Sequence, residues 1–491
     1  MNDKIRVRFA PSPTGELHLG NVRTAIFNWL FAKKNDGVFV LRIEDTDRNR
    51  YVETAVETIT NSLQWMGLNW DEGPDIGGEF GPYNQSERLN LYNSIAEKLL
   101  LTNMAYKCYC TTERLQQLRE TQTKNKQQIG YDGYCRNTSS NQKTNLENSK
   151  FVLRFRVPQS GITSLTDSIH GTKTFPNKLI DDFILIKTDG YPTYHFANVI
   201  DDHYMKISHV LRADEWLSST PKHLLIYESL EWKPPIYIHL PIILGSDKSR
   251  LSKRHGATSI MEYKAEGFLP DAMLNALSLL GWALDDKTTI ISREELTKKF
   301  ELDKISKSPS MFDIEKLKWI NSQYIRTTDN QNLNSILYSF LENNYKEKSK
   351  DYPFTLKYLS QITPLIKERI NTLNEADDWI NFFFHDCRKY TIEELIPKNM
   401  TLENTILLLK QSILTLQNTT PFNAELINNN LRTQAVSLDI SIRQLLGSLR
   451  MAITAQKVAP PLFETIEILN KTRTIKLIEK AIDFLENPVN K

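Results

Sequence analysis

Two short stretches about 230 residues apart carry side chains suited to nucleotide phosphates. The first runs Arg8-Phe9-Ala10-Pro11-Ser12-Pro13-Thr14-Gly15-Glu16-Leu17-His18-Leu19-Gly20-Asn21 and reads as strand, glycine-bearing turn and helix, with a histidine at the helix mouth. A helix amino end presents unpaired N–H groups and a positive dipole end. His18 can donate hydrogen bonds to phosphate oxygens, and Gly20 lets a base or ribose approach the backbone closely. The second stretch, Arg250-Leu251-Ser252-Lys253-Arg254, is a basic loop between the buried-looking strand Ile242-Ile243-Leu244-Gly245 and the polar exit His255-Gly256-Ala257-Thr258. A lysine on such a loop can close over ATP phosphates and add charge where the transition state develops it. Each stretch alone also fits a plainer role: a capping or core histidine, and a solvated basic turn. There is no G-x-x-x-x-G-K-[ST], and Gly77-Gly78-Glu79-Phe80-Gly81 follows no strand, so neither a P-loop nor a dinucleotide fingerprint is supported.

A second cluster is metal-like. Cys108-x-Cys110 is followed by Tyr131-x-x-x-Cys135, and three thiolates with one phenolate could hold Zn²⁺ tetrahedrally, although tyrosine is an unusual ligand. The alternative is three free thiols in a small subdomain. Cys387 stands apart as an ordinary thiol. Four cysteines in a long chain make no disulfide framework and point to a reducing cytoplasm.

The elements that must position these residues follow from periodicity. Ile5–Phe9 alternates as a strand, Val22, Ala25, Ile26, Trp29 and Leu30 repeat at helical spacing, and Asn35-Asp36-Gly37 supplies the stop. Val38–Ile43 is a second strand ending in Glu44-Asp45-Thr46-Asp47, so a βαβ unit with a parallel sheet is expected. Another amphipathic helix carries Val52, Val56, Ile59, Leu63 and Met66. From Tyr106 an inserted subdomain is expected, with strands at Phe151–Val157 and Phe183–Lys187. Sheet character returns at Ile207–Leu211 and Ile236–Leu244, and beyond about Ile320 only helices are expected, such as Asn404–Leu416 with Ile406, Leu409, Ile413 and Leu416 on one face. At 491 residues the chain allows about three domains. A net charge of +2, from 61 basic and 59 acidic side chains, gives no global footprint for a polyanion, so a nucleic-acid partner must be argued from sites. Met1 to Phe9 is no leader and no run of eighteen apolar residues occurs, so no signal peptide or membrane partner is expected.

Taken together, the motifs resemble the bacterial glutamyl-tRNA synthetases, members of class I. The resemblance spans the full length: Arg8–Ala25, Leu41–Asp47, Gly81–Arg88, Asp189–His203, Leu211–Trp216 and Leu251–Arg254. His18 and Gly20 match the family's first ATP motif, with Asn21 in place of its second histidine. Lys253 matches the essential lysine of the second motif, while Arg250 replaces that motif's first lysine with a planar fork. The implied reaction joins glutamate to tRNA in two steps, through glutamyl-adenylate, with Mg²⁺ accompanying ATP and with positioning and charge stabilisation by His18 and Lys253. A substrate with two carboxylates and one ammonium calls for two basic forks and one acid. Arg8 and Arg212 match the forks, Glu44 the acid, and Ser12, Tyr194 and Asn198 the remaining hydrogen bonds. Some family members carry a structural zinc in the insertion and others have lost it. Asn137 stands where a histidine has been proposed as ligand, which leaves Tyr131 or water as the fourth.

The implied architecture is α/β: a Rossmann-like parallel-sheet catalytic domain (1–105 and 191–245) with an α+β acceptor-end insertion (106–190), a stem-contact region bearing the second motif (246–322) and an all-α anticodon-binding region (323–491). Implied partners are L-glutamate, ATP and tRNA-Glu, with tRNA-Gln as a further candidate, for a monomer in the cytoplasm. Arg369, in Lys367-Glu368-Arg369, aligns with a segment that reads the last anticodon base; a surface helix charge is the alternative. A glutaminyl-tRNA synthetase would carry β-barrel anticodon domains that the strand-poor rear does not suit. A truncated tRNA-modifying paralogue and the small-molecule nucleotidyltransferases would lack this rear, and a non-catalytic RNA-binding relative would not need His18 and Lys253.

Overall fold

Strand β1 (Arg6–Phe9) lies parallel to β2 (Val38–Leu41), in register from Arg6↔Val38 to Phe9↔Leu41. All eight residues are buried, as a parallel sheet requires when both faces are covered. The cover includes helix α1 (Leu19–Lys34), which packs on both strands and is buried along Leu19, Val22, Ala25, Ile26 and Leu30. The helix starts where His18 turns extended (φ −87°, ψ 162°) and its carbonyl accepts from Asn21 and Val22. It ends on Lys33 and Lys34, whose charges suit the negative dipole end, before Asp36 adopts a left-handed φ of 48°. The expected strand–helix–strand is thus formed, although β2 stops at Leu41 and Ile43 instead bridges Asn84.

The computed structural model describes residues 4–136, 150–251, 259–346, 352–385 and 389–487. They divide into two compact units: Met1–Tyr263 with Pro270–Leu317, and Lys264–Leu269 with Lys318–Lys491.

In the first unit, β8 (His209–Ala213) runs parallel to β9 (Ile236–Leu240), and Ser208 hydrogen-bonds the start of β1 through two contacts of 2.9 Å with Arg6. The apolar run expected as one strand to Leu244 breaks at Pro241, leaving β10 (Ile243–Leu244) to pair with β11 (Ser310–Met311). Within the stretch expected as an insertion, β3 (Ala105–Cys108), β4 (Val152–Phe155) and β7 (Ile184–Ile186) form an antiparallel sheet. It packs on α3 (Leu89–Leu101) and on the helix α5 (Tyr194–Tyr204) through Tyr92, Leu99, Phe155, Phe183 and Phe196. Helices α2 (Ala55–Trp65) and α4 (Thr112–Lys124) belong to the same unit.

One hairpin escaped the sequence. β5 (Ile162–Asp167) and β6 (Gly171–Pro176) pair with each other, and β5 then joins β9 in parallel at Asp167↔Tyr237, giving the order β6-β5-β9-β8. Its residues Ile-Thr-Ser-Leu-Thr-Asp alternate exposed and buried, so only one face is apolar-facing, and β6 is mostly exposed. With so little apolar content the period-2 signal is faint.

The second unit is helical: among its described residues there is no strand. Thr355, Thr401, Asn423 and Ser441 each cap a helix by accepting a backbone N–H, and Ser441 with Gln444 closes a capping box. The helix expected over Asn404–Leu416 spans Leu402–Asn418. Its buried face is Thr405, Leu408, Leu409, Ser412 and Leu416, with Ile406 and Ile413 at the margin.

Candidate active site

The carboxyl ends of β1 and β8 and the chain just past β2 meet beside the mouth of α1. A cleft of about 970 Å³ lies there, lined by Arg8, Ser12, His18, Asn21, Glu44, Tyr194, Asn198 and Arg212. Two of these, Tyr194 and Asn198, depend on one helix, which also carries Asp202. Tyr194, Asn198 and Asp202 recur every fourth residue of α5 and so share a face.

Asp202 is the centre of a buried charge cluster that sequence reasoning missed. Arg8 grips it bidentately, Nε to Oδ1 at 3.0 Å and Nη2 to Oδ2 at 3.4 Å. Arg42 donates to the same carboxylate at 2.7 Å and to Glu44 Oε1 at 3.1 Å, while Asn198 also donates to that Oε1 at 3.2 Å. Burial opposes ionisation of Asp202, but the guanidiniums of Arg8 and Arg42 outweigh it and hold its carboxyl below the usual range. Arg42 is likewise desolvated, yet Asp202, Glu44 and Asp201 raise its pKa. Glu44 goes the other way: burial lifts its pKa, with Arg42 and Arg8 pulling it back. The four-residue spacing of Tyr194, Asn198 and Asp202 was the available signal for this cluster.

Arg212 has different company. Its Nε donates to His239 Nε2 at 3.1 Å, Nη1 reaches Tyr194 Oη at 3.3 Å and His223 Nδ1 at 3.2 Å, and Nη2 donates to Thr220 Oγ1 at 2.9 Å. The Tyr194 ring is seated against Trp216, centroids 4.3 Å apart, and burial raises its phenol pKa. Ser12 is exposed at the cleft wall. His239, His223 and Thr220 carried no sequence signal of their own, and Trp216 only its place at the end of the Leu211–Trp216 motif.

At the phosphate end, His18 makes no side-chain cap hydrogen bond, which removes the plainest of its structural roles. Its enclosure by protein, and then the charge of Arg250, lower its pKa against the pull of Glu215, so the imidazole is neutral near pH 7. A Cβ on Gly20 would meet His18 Nδ1 at 3.4 Å, so the glycine leaves the ring its position. Arg250 pairs with Glu215, itself on the cleft wall. Lys253 lies outside the described residues. Arg23, on the buried side of α1, donates to the carbonyls of Pro241 at 2.5 Å and Leu280 at 3.2 Å, which ties the helix to the segment after β9.

The cysteine cluster forms at the end of β3. The sulfurs of Cys108, Cys110 and Cys135 lie within 4.8 Å of one another, near the roughly 3.8 Å edge of a tetrahedral zinc–thiolate site. Tyr131 Oη is 3.4 Å from Cys108 Sγ and 3.7 Å from Cys110 Sγ, and accepts the Cys135 N–H at 2.8 Å. Hydrogen bonding from Cys135 outweighs burial and pulls the Cys108 thiol well below the usual thiol range, whereas burial pushes the Tyr131 phenol up. Three sulfurs at this spacing fit a structural zinc, with the tyrosine hydroxyl over the fourth corner. Asn137 and Cys387 lie outside the described residues. In the second unit, Arg369 is exposed and its guanidinium lies 5.3 Å from the Trp379 ring centroid. No helix among the described residues is long and apolar enough to cross a membrane.

Comparison with known proteins adds the following. The family model described as tRNA synthetases class I (E and Q), catalytic domain, matches residues 4–319, and an anticodon binding domain model matches 334–482. The chain is 50% identical over 482 residues to a glutamate–tRNA ligase of Dehalococcoides mccartyi, covering 98% of each. It is 42% identical over 488 residues to one of Borrelia duttonii, covering 98% of this chain and 96% of that one. Among solved structures, a glutamate tRNA ligase from Elizabethkingia meningosepticum in complex with its amino acid superposes with a TM-score of 0.90 at 36% identity, covering 98% of this chain and 100% of that one.

Proposed function

The chain belongs to the glutamate–tRNA ligases of class I, and from that premise we propose how its cleft performs the reaction. The enzyme joins L-glutamate to tRNA at the expense of ATP, releasing AMP and pyrophosphate. The observation that carries the residue assignments is the cleft in which Glu44, Arg8, Arg212 and the histidine at a helix mouth converge. Glutamate enters with its ammonium on Glu44, whose Oε1 already takes Arg42 and Asn198, which leaves Oε2 for the substrate. Arg8 and Arg212 take its carboxylates, and Ser12, Tyr194 and Asn198 complete the hydrogen bonds.

ATP, carrying Mg²⁺ as part of the substrate, lies across Gly20 and Asn21 at the amino end of α1. An oxygen of the glutamate α-carboxylate forms a bond to the α-phosphorus, and the bond to pyrophosphate breaks. Neutral His18 serves as an N–H donor to phosphate oxygens, while Lys253 and Arg250 supply positive charge. The ribose hydroxyl of tRNA then attacks the mixed anhydride, and AMP leaves. No side chain is covalently modified at any step.

The reading extends to the rest of the chain. Residues 1–105 and 191–245 form the catalytic domain, 106–190 the acceptor-end insertion, 246–322 the stem-contact region and 323–491 the anticodon-binding region, with Arg369 a contact to the last anticodon base. Cys108, Cys110 and Cys135, with Tyr131 or water fourth, hold one structural Zn²⁺, which fixes the end of β3 against the loop carrying Cys135. The enzyme works as a cytoplasmic monomer on tRNA-Glu, with tRNA-Gln the second candidate.

The decisive measurement is ATP–pyrophosphate exchange with glutamate or glutamine, each with and without tRNA-Glu and tRNA-Gln. Exchange is expected only with glutamate and tRNA together. Robust exchange with glutamine would overturn the reading, and so would full activity in Lys253→Ala.

A further inference from the structure

The second layer behind Arg212 is as ordered as the first. An imidazole nitrogen that accepts from a guanidinium must present its lone pair there, so the ring proton sits on the other nitrogen. His239 Nδ1–H accordingly donates to Asp167 Oδ2 at 2.7 Å, and His223 Nε2–H donates to His195 Nδ1 at 3.1 Å. Asp167 is itself held by the backbone N–H groups of Ile169, His170 and His239 at 2.8 to 3.1 Å. Thr220 is held too: its hydroxyl donates to the Trp216 carbonyl at 3.0 Å, leaving its lone pairs for Arg212. Burial keeps these rings uncharged, with His239 and His195 lowered to about 4.

The two arginines of the cleft therefore differ in kind. Arg8 is already neutralised by Asp202. Arg212 is 4% exposed and, among the described residues, forms no ion pair; every acceptor around it is neutral. A buried cation without a counter-ion is costly until a ligand supplies the negative charge, and a carboxamide cannot. We propose that His239, oriented by Asp167, together with His223 and Thr220, are positioning residues that hold Arg212 in place without neutralising it, and so make the pocket demand a carboxylate and refuse the isosteric carboxamide. This rests on the reading of the cleft as the glutamate pocket.

The test compares variants in tRNA-dependent aminoacylation, with KM for glutamate and for ATP measured separately and glutamine as competitor. His239→Gln keeps an acceptor for Arg212 and a donor for Asp167; His239→Leu removes both at similar volume. KM for glutamate is expected to rise about 10- to 100-fold in His239→Leu and less than about fivefold in His239→Gln, with KM for ATP within about twofold in both. The advantage of glutamate over glutamine should shrink in His239→Leu by the same factor. Should His239→Leu fail to fold, Thr220→Val decides, with an expected rise of about 3- to 10-fold in KM for glutamate alone. Equal behaviour of the Leu and Gln variants, or KM for ATP moving together with KM for glutamate, overturns the proposal. Arg212→Ala separates the two levels: if it leaves KM for glutamate unchanged, the pocket reading falls and the proposal with it. If it abolishes binding while neither His239→Leu nor Thr220→Val has an effect, only the positioning role falls.

Discussion

Charge in the cleft is governed by who desolvates whom. Asp202 stays ionised because two guanidiniums share it, and His239 and His195 stay neutral because burial, reinforced by nearby cations such as Arg212, outweighs the pull of Asp167 on the one and of Asp181 on the other. The same burial makes stability depend on pH. His239 and His195 bind protons less readily folded, at about 4, than unfolded, at the ordinary value near 6.5. Between those values the unfolded chain takes up more protons, so stability is full above 6.5 and is lost as pH falls towards 4, by on the order of 2 kcal/mol per histidine at pH 5. Urea unfolding at pH 7.5 and 5 is expected to show this decline, with a shallower slope in His239→Gln. At this scale the residues inside recognisable motifs, Arg8, Glu44, Tyr194, Asn198 and Arg212, were legible from the chain alone. Arg42, Asp202 and His239 were not, because their meaning is a partner: Asp202 reaches an arginine 194 positions away. Lys253 carries much of the proposed chemistry and falls outside the described residues.

Among elements, legibility followed apolar content. The β1–α1–β2 unit announces itself because every strand position is buried, whereas the β5–β6 hairpin, half Thr, Ser and Lys, gives little period-2 signal and is found only through its pairing with β9. The thiol cluster was readable from spacing, and the tyrosine came with it because the intervening turn returns its hydroxyl to both cysteines of the first pair. Purified protein is expected to contain one zinc per chain, and Cys108→Ser to contain almost none. The variant should also unfold about 5 °C or more below the parent, since metal binding energy is folding energy. Metal-free protein with an unchanged thermal transition in Cys108→Ser would show the trio to be three ordinary thiols.

The whole molecule combines an α/β unit with a helical one, as motif order and the loss of strand pattern after about residue 320 implied. With a net charge of only +2, attraction to tRNA must come from local contacts. Arg369→Ala is therefore expected to raise KM for tRNA about 3- to 10-fold at fixed salt while leaving KM for ATP and glutamate unchanged; no change in KM for tRNA would return Arg369 to the status of a surface charge. The hairpin that leaves residues 106–190 to join β9 brings Asp167 with it, and Asp167 orients His239 behind Arg212. Residues 106–190 are therefore not a cartridge. A chimaera that exchanges residues 106–161 keeps Asp167 behind His239, whereas one that exchanges 106–190 transplants Asp167 and, with Ile184 to Asp189, part of the cleft lining as well. Any lineage that swapped the longer piece would have been selected on both at once.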